Sequence, residues 1–374
     1  MIPEKRYNNS RKVGCAPLHT PRDLCLLLLS QALEAMITSL QSLAYGQSHS
    51  YDSSHLSLFD HSSLNSLYTQ KANRTQSRYC VNSTMTASSS CSIPWRGIGD
   101  PRESCWLHRL VELSFPSSDV IDVQISKGHL HLIYLLKLSN GTELTLKMHG
   151  RPRASLRRHE STSIETEAKV LSHLCASNFR FAPGLVRYGR QLDACSTGSY
   201  IFKEYVPGIA LSDFEETSLT NHDRQDIERQ YGNAVRLIGE HIGSSFGTVE
   251  AVSTGRGKKS WRHAFMVLLD SLLFEAENKL ISLPRTEIRQ QAVRLMGSLD
   301  SVMKARLVVL DLGRPSHIIV DTSTKRIAGF TNFANAFWAD LLFSEAFENP
   351  SPAFIQGYGF NPIQDESARA RLLL

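Results

Sequence analysis

The residues with chemistry to offer are scattered through the second two-thirds of a 374-residue chain. Lys147 closes the apolar-alternating stretch Leu144-Thr145-Leu146-Lys147, and Glu165 and Glu167 open a helical pattern soon after it. Asp311 follows the apolar run Leu307 to Leu310, His317 precedes another at Ile318 to Val320, and Asn332 sits among aromatics in Phe330-Thr331-Asn332-Phe333. A lysine can neutralise an anion, a carboxylate can orient or deprotonate a hydroxyl, and imidazole or amide groups can ligate a cation. Taken singly, Lys147 reads more simply as an edge-strand charge and Glu167 as a solvated helix residue, and Asn332 is also readable as a satisfied turn residue.

Other chemistry is less well supported. The seven cysteines show neither CxxC nor Cys/His spacing, so neither a zinc site nor a disulfide framework is expected, and a reducing, cytoplasmic setting is the simpler reading. A net charge of +5, from 41 basic against 36 acidic residues, is too mild to call for nucleic acid as a partner. Arg151, Arg153, Arg157 and Arg158 could meet an anionic substrate but read more simply as a solvated loop, as does Gly255-Arg256-Gly257-Lys258-Lys259. The sequons at Asn73, Asn82 and Asn140 matter only in a secreted chain.

These residues need elements to position them. Val120 to Ile125, His131 to Leu136 and Glu143 to Lys147 alternate as strands, with turns at Lys127-Gly128 and Ser139 to Thr142, and predict a three-stranded antiparallel sheet. Ser163 to Cys175 carries Ile164, Ala168, Leu171 and Leu174 at helical spacing, and Ser199 to Val206 is a further strand stopped by Pro207-Gly208. Helical patterns follow over Asp223 to Glu240 and Ser260 to Leu280, and Lys325 to Phe330 completes a hairpin-like unit with His317 to Asp321. Residues 1–100 form an extension: a helix starting at Thr20-Pro21, whose run Leu24 to Leu29 is too short to span a bilayer, then a Ser-rich flexible stretch from Gln47 to about Ser92. Phe333, Phe337 and Trp338 are expected in the core.

This order of blocks resembles the aminoglycoside phosphotransferases, whose fold is shared with choline kinases and protein kinases. The likeness runs from about Trp106 to Gly359, through the strand lysine, the helix Ser163 to Leu171, the stretch Phe202-Lys203-Glu204-Tyr205-Val206-Pro207-Gly208, Ser260-Trp261-Arg262, Asp311-Leu312, Ile318 to Asp321 and Phe337 to Asp340. It implies an α+β, two-lobed kinase-like fold, with an antiparallel-sheet lobe over 101–207 and a helical lobe over 208–374. It implies ATP and Mg²⁺ as cofactors and a small-molecule hydroxyl as acceptor, with no membrane span; the oligomeric state is left open.

Residue by residue, the resemblance makes Lys147 the phosphate contact held by Glu167, makes Glu204, Tyr205 and Val206 a hinge whose backbone meets adenine, and makes Asp311 the catalytic base. His317 and Asn332 become the metal ligands. The departures lie in the same places. Val309 replaces a histidine that supports the loop, and His317 reaches the position of a metal-binding asparagine only across one inserted residue, where macrolide phosphotransferases resemble it in using histidine. Asn332 stands where relatives carry their main metal-chelating aspartate, and only Gly128 lies in the phosphate-covering turn. Two readings follow: a phosphotransferase acting on a small molecule, in secondary metabolism or self-protection, or a pseudokinase-like binding or scaffolding module.

Overall fold

A computed structural model describes residues 101–127, 131–149, 160–193, 196–214, 218–364 and 366–374. The expected N-terminal helix and Ser-rich stretch, Gly128 and the arginine cluster at 151–158 lie outside the described residues.

The chain enters on α1 (Pro101–Ser114), which the sequence pattern did not announce, and then builds β1 (Val120–Lys127), β2 (His131–Leu138) and β3 (Glu143–His149). The β2–β3 turn uses Gly141 at φ +84°, and the Asn140 side chain accepts from the Thr142 amide at 2.9 Å. After α2 (Ser163–Ala176) come β4 (Leu185–Asp193) and β5 (Ser196–Glu204), so the expected three strands are part of a five-stranded sheet in the order β1-β2-β3-β5-β4. β5 was foreseen as Ser199 to Val206; β4, with Arg187, Tyr188 and Arg190 breaking its alternation, was not.

Strand β3 is covered on both sides. Leu144 and Leu146 face a core shared with Leu107, Leu110 and Val111 of α1, Tyr134 and Phe202. Thr145 and Lys147 therefore point the other way, towards α2. Any lysine on that covered face needs an anionic partner, because an unpaired buried ammonium is costly.

Past the sheet, the short β6 (Ile209–Ala210) leads to α3 (Asn221–Gly239), which a Thr220/Asp223 capping box begins. Then follow β7 (Gly247–Thr248), α4 (Val249–Ser253), α5 (Trp261–Asn278) and α6 (Arg285–Leu295). The last third adds β8 (Arg306–Val309), β9 (Ile318–Val320), β10 (Ile327–Phe330), β11 (Ala336–Ala339), α7 (Pro352–Tyr358) and α8 (Glu366–Leu372). Helix α7 packs so closely on α3 that a Cβ at Gly232 would lie 2.1 Å from the Phe354 carbonyl oxygen. Two small antiparallel sheets, β10-β9-β6 and β7-β11-β8, sit among these helices. The described residues thus have the α+β, two-lobed architecture that was expected. Phe333 is fully buried, while Phe337 and Trp338 pack partly buried against a core around Trp261.

Candidate functional site

Four strand ends bring the polar residues together. Asp311 follows β8, His317 precedes β9, Asn332 follows β10 and Asn335 precedes β11. The large sheet supplies the other half. Register pairs Thr145 with Lys203 and Lys147 with Ile201, so alternation puts both lysines on the same face. On α2, Glu167 shares the buried stripe of Ile164, Ala168, Leu171 and Leu174, and its carboxylate is carried beneath them.

The result is a chain of contacts across the site. Lys147 Nζ donates to Glu167 Oε2 at 2.6 Å, and Lys203 Nζ donates to Glu167 Oε1, also at 2.6 Å. Lys147, Glu167 and Lys203 are 4, 0 and 3% exposed. Burial alone would push the Glu167 carboxyl up, but Lys147 and Lys203 outweigh it and hold it at about 2. Burial pulls Lys203 down from the usual lysine value, and Glu167 opposes that pull. Lys203 also donates to the Thr331 carbonyl, and Lys147 reaches Asn332 Oδ1 at 2.9 Å.

Asn332 then crosses to the other half. Its Nδ2 donates to Asp311 Oδ2 at 3.2 Å and lies 3.5 Å from His317 Nε2. Asn335 Nδ2 donates to the same Asp311 oxygen at 2.7 Å. His317 Nδ1 stands 2.9 Å from the Asp311 carbonyl, which can only accept, so Nδ1 carries a proton and donates it there. Asp311 Oδ1 is buried with no hydrogen-bond partner among the described residues.

Charges fix the orientation of the Asn332 amide. Turning it over would set its NH₂ against the Lys147 ammonium and its oxygen against the Asp311 carboxylate. As held, the oxygen faces Lys147, while the side towards Asp311 and His317 is a donor. A hard divalent cation wants several oxygens, preferably anionic, and among the described residues Asp311 is the one carboxylate paired with His317, at 3.8 Å. Among the described residues, no group of three or more His, Cys, Asp or Glu side chains could hold a metal ion. The donor set at His317 and Asn332 therefore does not fit Mg²⁺.

The hinge stretch is placed as follows. Glu204 is exposed at the end of β5, its amide donating to the Gly184 carbonyl at 2.9 Å and its Oε2 accepting from the Gly184 amide at 3.0 Å. The Tyr205 amide donates to the Glu143 carbonyl at 3.3 Å, whereas the Val206 amide has no hydrogen-bond partner among the described residues. Of the sequence candidates, Lys147, Glu167, Asp311, His317 and Asn332 converge, while Glu204 ends β5 and Tyr205 and Val206 follow it. Lys203 and Asn335 were missed. Lys203 lay inside the hinge block, but only the β3–β5 register reveals that it shares the face of Lys147.

No family model matches this sequence, and no curated protein sequence matches it. Solved structures do. One is a thermostable mutant of aminoglycoside phosphotransferase APH(4)-Ia in a ternary complex with ADP and hygromycin B, at 17% identity and TM-score 0.50, covering 71% of this chain and 86% of that one. Another is the macrolide 2'-phosphotransferase MphH from Brachybacterium faecium, at 16% identity and TM-score 0.45, covering 72% and 87% of the two chains. At such identities the likeness is one of fold. The chain has the two-lobed, kinase-like fold of the aminoglycoside phosphotransferases. Among the described residues, no helix is long and apolar enough to cross a membrane.

Proposed function

We propose that this chain is a pseudokinase-like binding module of the phosphotransferase fold, in which metal-dependent phosphoryl transfer is lost or strongly weakened. The carrying observation is Asn332, whose amide joins Lys147 at 2.9 Å to Asp311 at 3.2 Å where a metal-binding carboxylate was expected. With Lys147, Lys203, Glu167 and Asp311 charged, the network is neutral as it stands. Phosphoryl transfer depends on positioning and on neutralising phosphate charge, and a site without a second carboxylate has little to hold Mg²⁺ in place. The ligand class favoured is a nucleotide between the two lobes, with the Val206 amide, which has no partner among the described residues, as a donor to its base and Lys147 as its phosphate contact. ADP in the structural neighbour is consistent with that class.

A second reading has one observation in its favour. Asp311 Oδ1 is a buried acceptor without a donor among the described residues, which an acceptor hydroxyl would satisfy, as transfer to a small-molecule alcohol requires.

Thermal-shift titration of the full chain with ATP, with and without Mg²⁺ or Mn²⁺, separates the two, alongside an assay of ATP consumption. The binding module is expected to respond to ATP without metal and to consume none. Metal-dependent stabilisation with ATP turnover sinks it in favour of the enzyme. Asn332→Asp should make the nucleotide response metal-dependent, tightening it by about tenfold in Mg²⁺ over EDTA.

A further inference from the structure

Lys203 is given no ligand contact in the function just proposed, yet among the described residues it is one of two lysines buried at the site. The residue is 3% exposed, on the covered face of the sheet that it shares with Lys147. It donates to two groups on different elements: Glu167 Oε1 on α2, at 2.6 Å, and the carbonyl of Thr331, the residue before Asn332. The Thr331 amide in turn donates to the His317 carbonyl at 2.9 Å, and the Phe330 amide to Phe181 O at 2.9 Å. One ammonium therefore links the helix that steers Lys147 to the segment that carries Asn332.

The charge balance gives this link a meaning. Lys147 and Lys203 share a single carboxylate, leaving that triad one positive charge in excess, and the partner Lys147 meets next is a neutral amide. An aspartate at 332 would cancel this excess and leave the combined site one negative charge over. Asparagine at 332 and lysine at 203 thus fit each other electrostatically. Either alone would leave buried charge less well matched.

We propose that Lys203 is the positioning residue of this site: an internal cation that organises Glu167, Lys147 and the Thr331–Asn332 segment with no divalent metal. The proposal rests on reading the site as one no longer built around Mg²⁺, and it explains how such a site stays assembled.

Hydrogen–deuterium exchange on the full, nucleotide-free chain tests it, in EDTA and in Mg²⁺, following peptides over Ile327 to Asn335. In the unaltered protein the exchange should be the same in both buffers. Lys203→Met should speed it by about tenfold in both, while peptides over α3 and α7 keep their rates, which shows that the fold is intact. In the double variant Lys203→Met/Asn332→Asp, Mg²⁺ should slow the exchange by about tenfold over EDTA, because a divalent cation now has the vacated role and a second carboxylate. A generic loss of packing would not confer such a metal response. Should Lys203→Met unfold, Lys203→Gln keeps a donor without the charge and should show the same local loosening. Unchanged exchange in the lysine variants overturns the proposal, as does Mg²⁺-dependent protection in the unaltered chain or no Mg²⁺ response in the double variant. No nucleotide is present, so failure of this inference and failure of the proposed function are told apart.

Discussion

The two halves of the site solve the problem of buried charge differently. On the sheet side, Lys147 and Lys203 close on Glu167 at 2.6 Å each, with all three residues at or below 4% exposure. On the side of the short strands, Asp311 is as well buried, at 3%, but neutral amides satisfy one of its oxygens and no donor among the described residues satisfies the other. In the first half every charged group has a charged partner. The second keeps an unspent acceptor. Structural rigidity and chemical opportunity are thus separated, with Asn332 touching both.

Mutations can break this contrast. Glu167→Ala should have the largest effect, about 3–5 kcal/mol of stability in denaturant unfolding, because it strands two buried ammoniums. Asn335→Ala should cost less, about 2 kcal/mol, as it removes one amide donor from a charged oxygen at a partly open site. Equal losses would mean that the two halves are held alike.

The pH dependence sharpens the comparison further. Burial and then the Lys147 charge pull His131 down from 6.5 to about 2, while its Nε2 lies 2.9 Å from the Ser163 hydroxyl at the start of α2. The unfolded chain takes up that proton near pH 6.5 and the folded chain does not until about pH 2. Stability should therefore be fully present above pH 6.5 and fall as pH drops below it, by at most about 1.4 kcal/mol per unit. Glu167, held at about 2 against an ordinary 4.5, adds a second loss in the same direction below pH 4.5. Urea midpoints from pH 8 to 4 follow this, and His131→Gln should flatten the slope above pH 4.5. The smallest effect is expected one turn along the same helix. Lys169→Ala, which breaks the partly exposed pair with Glu165, should cost no more than about 0.5 kcal/mol by the same unfolding measurement.

Much of this molecule was legible in its residues. Alternation at Val120 to Ile125, His131 to Leu136 and Glu143 to Lys147 predicted β1 to β3, and the spacing of Ile164, Ala168, Leu171 and Leu174 predicted α2, because those periods record which face is buried. The local pattern by itself left Glu167 as a solvated helix residue, and it was the order of blocks that brought Lys147, Glu167, Asp311, His317 and Asn332 into one list of candidates. What local pattern could not supply was register and side-chain direction. Whether Lys203 is a solvated strand residue or a buried cation depends on its pairing opposite Thr145, a contact 58 positions away in the chain. Whether Asn332 presents oxygen or nitrogen to His317 depends on Lys147, 185 positions distant. Periodicity is local and survives in the sequence; the sign and aim of a buried polar group are set by whichever charges the fold brings beside it, and those only the tertiary structure decided.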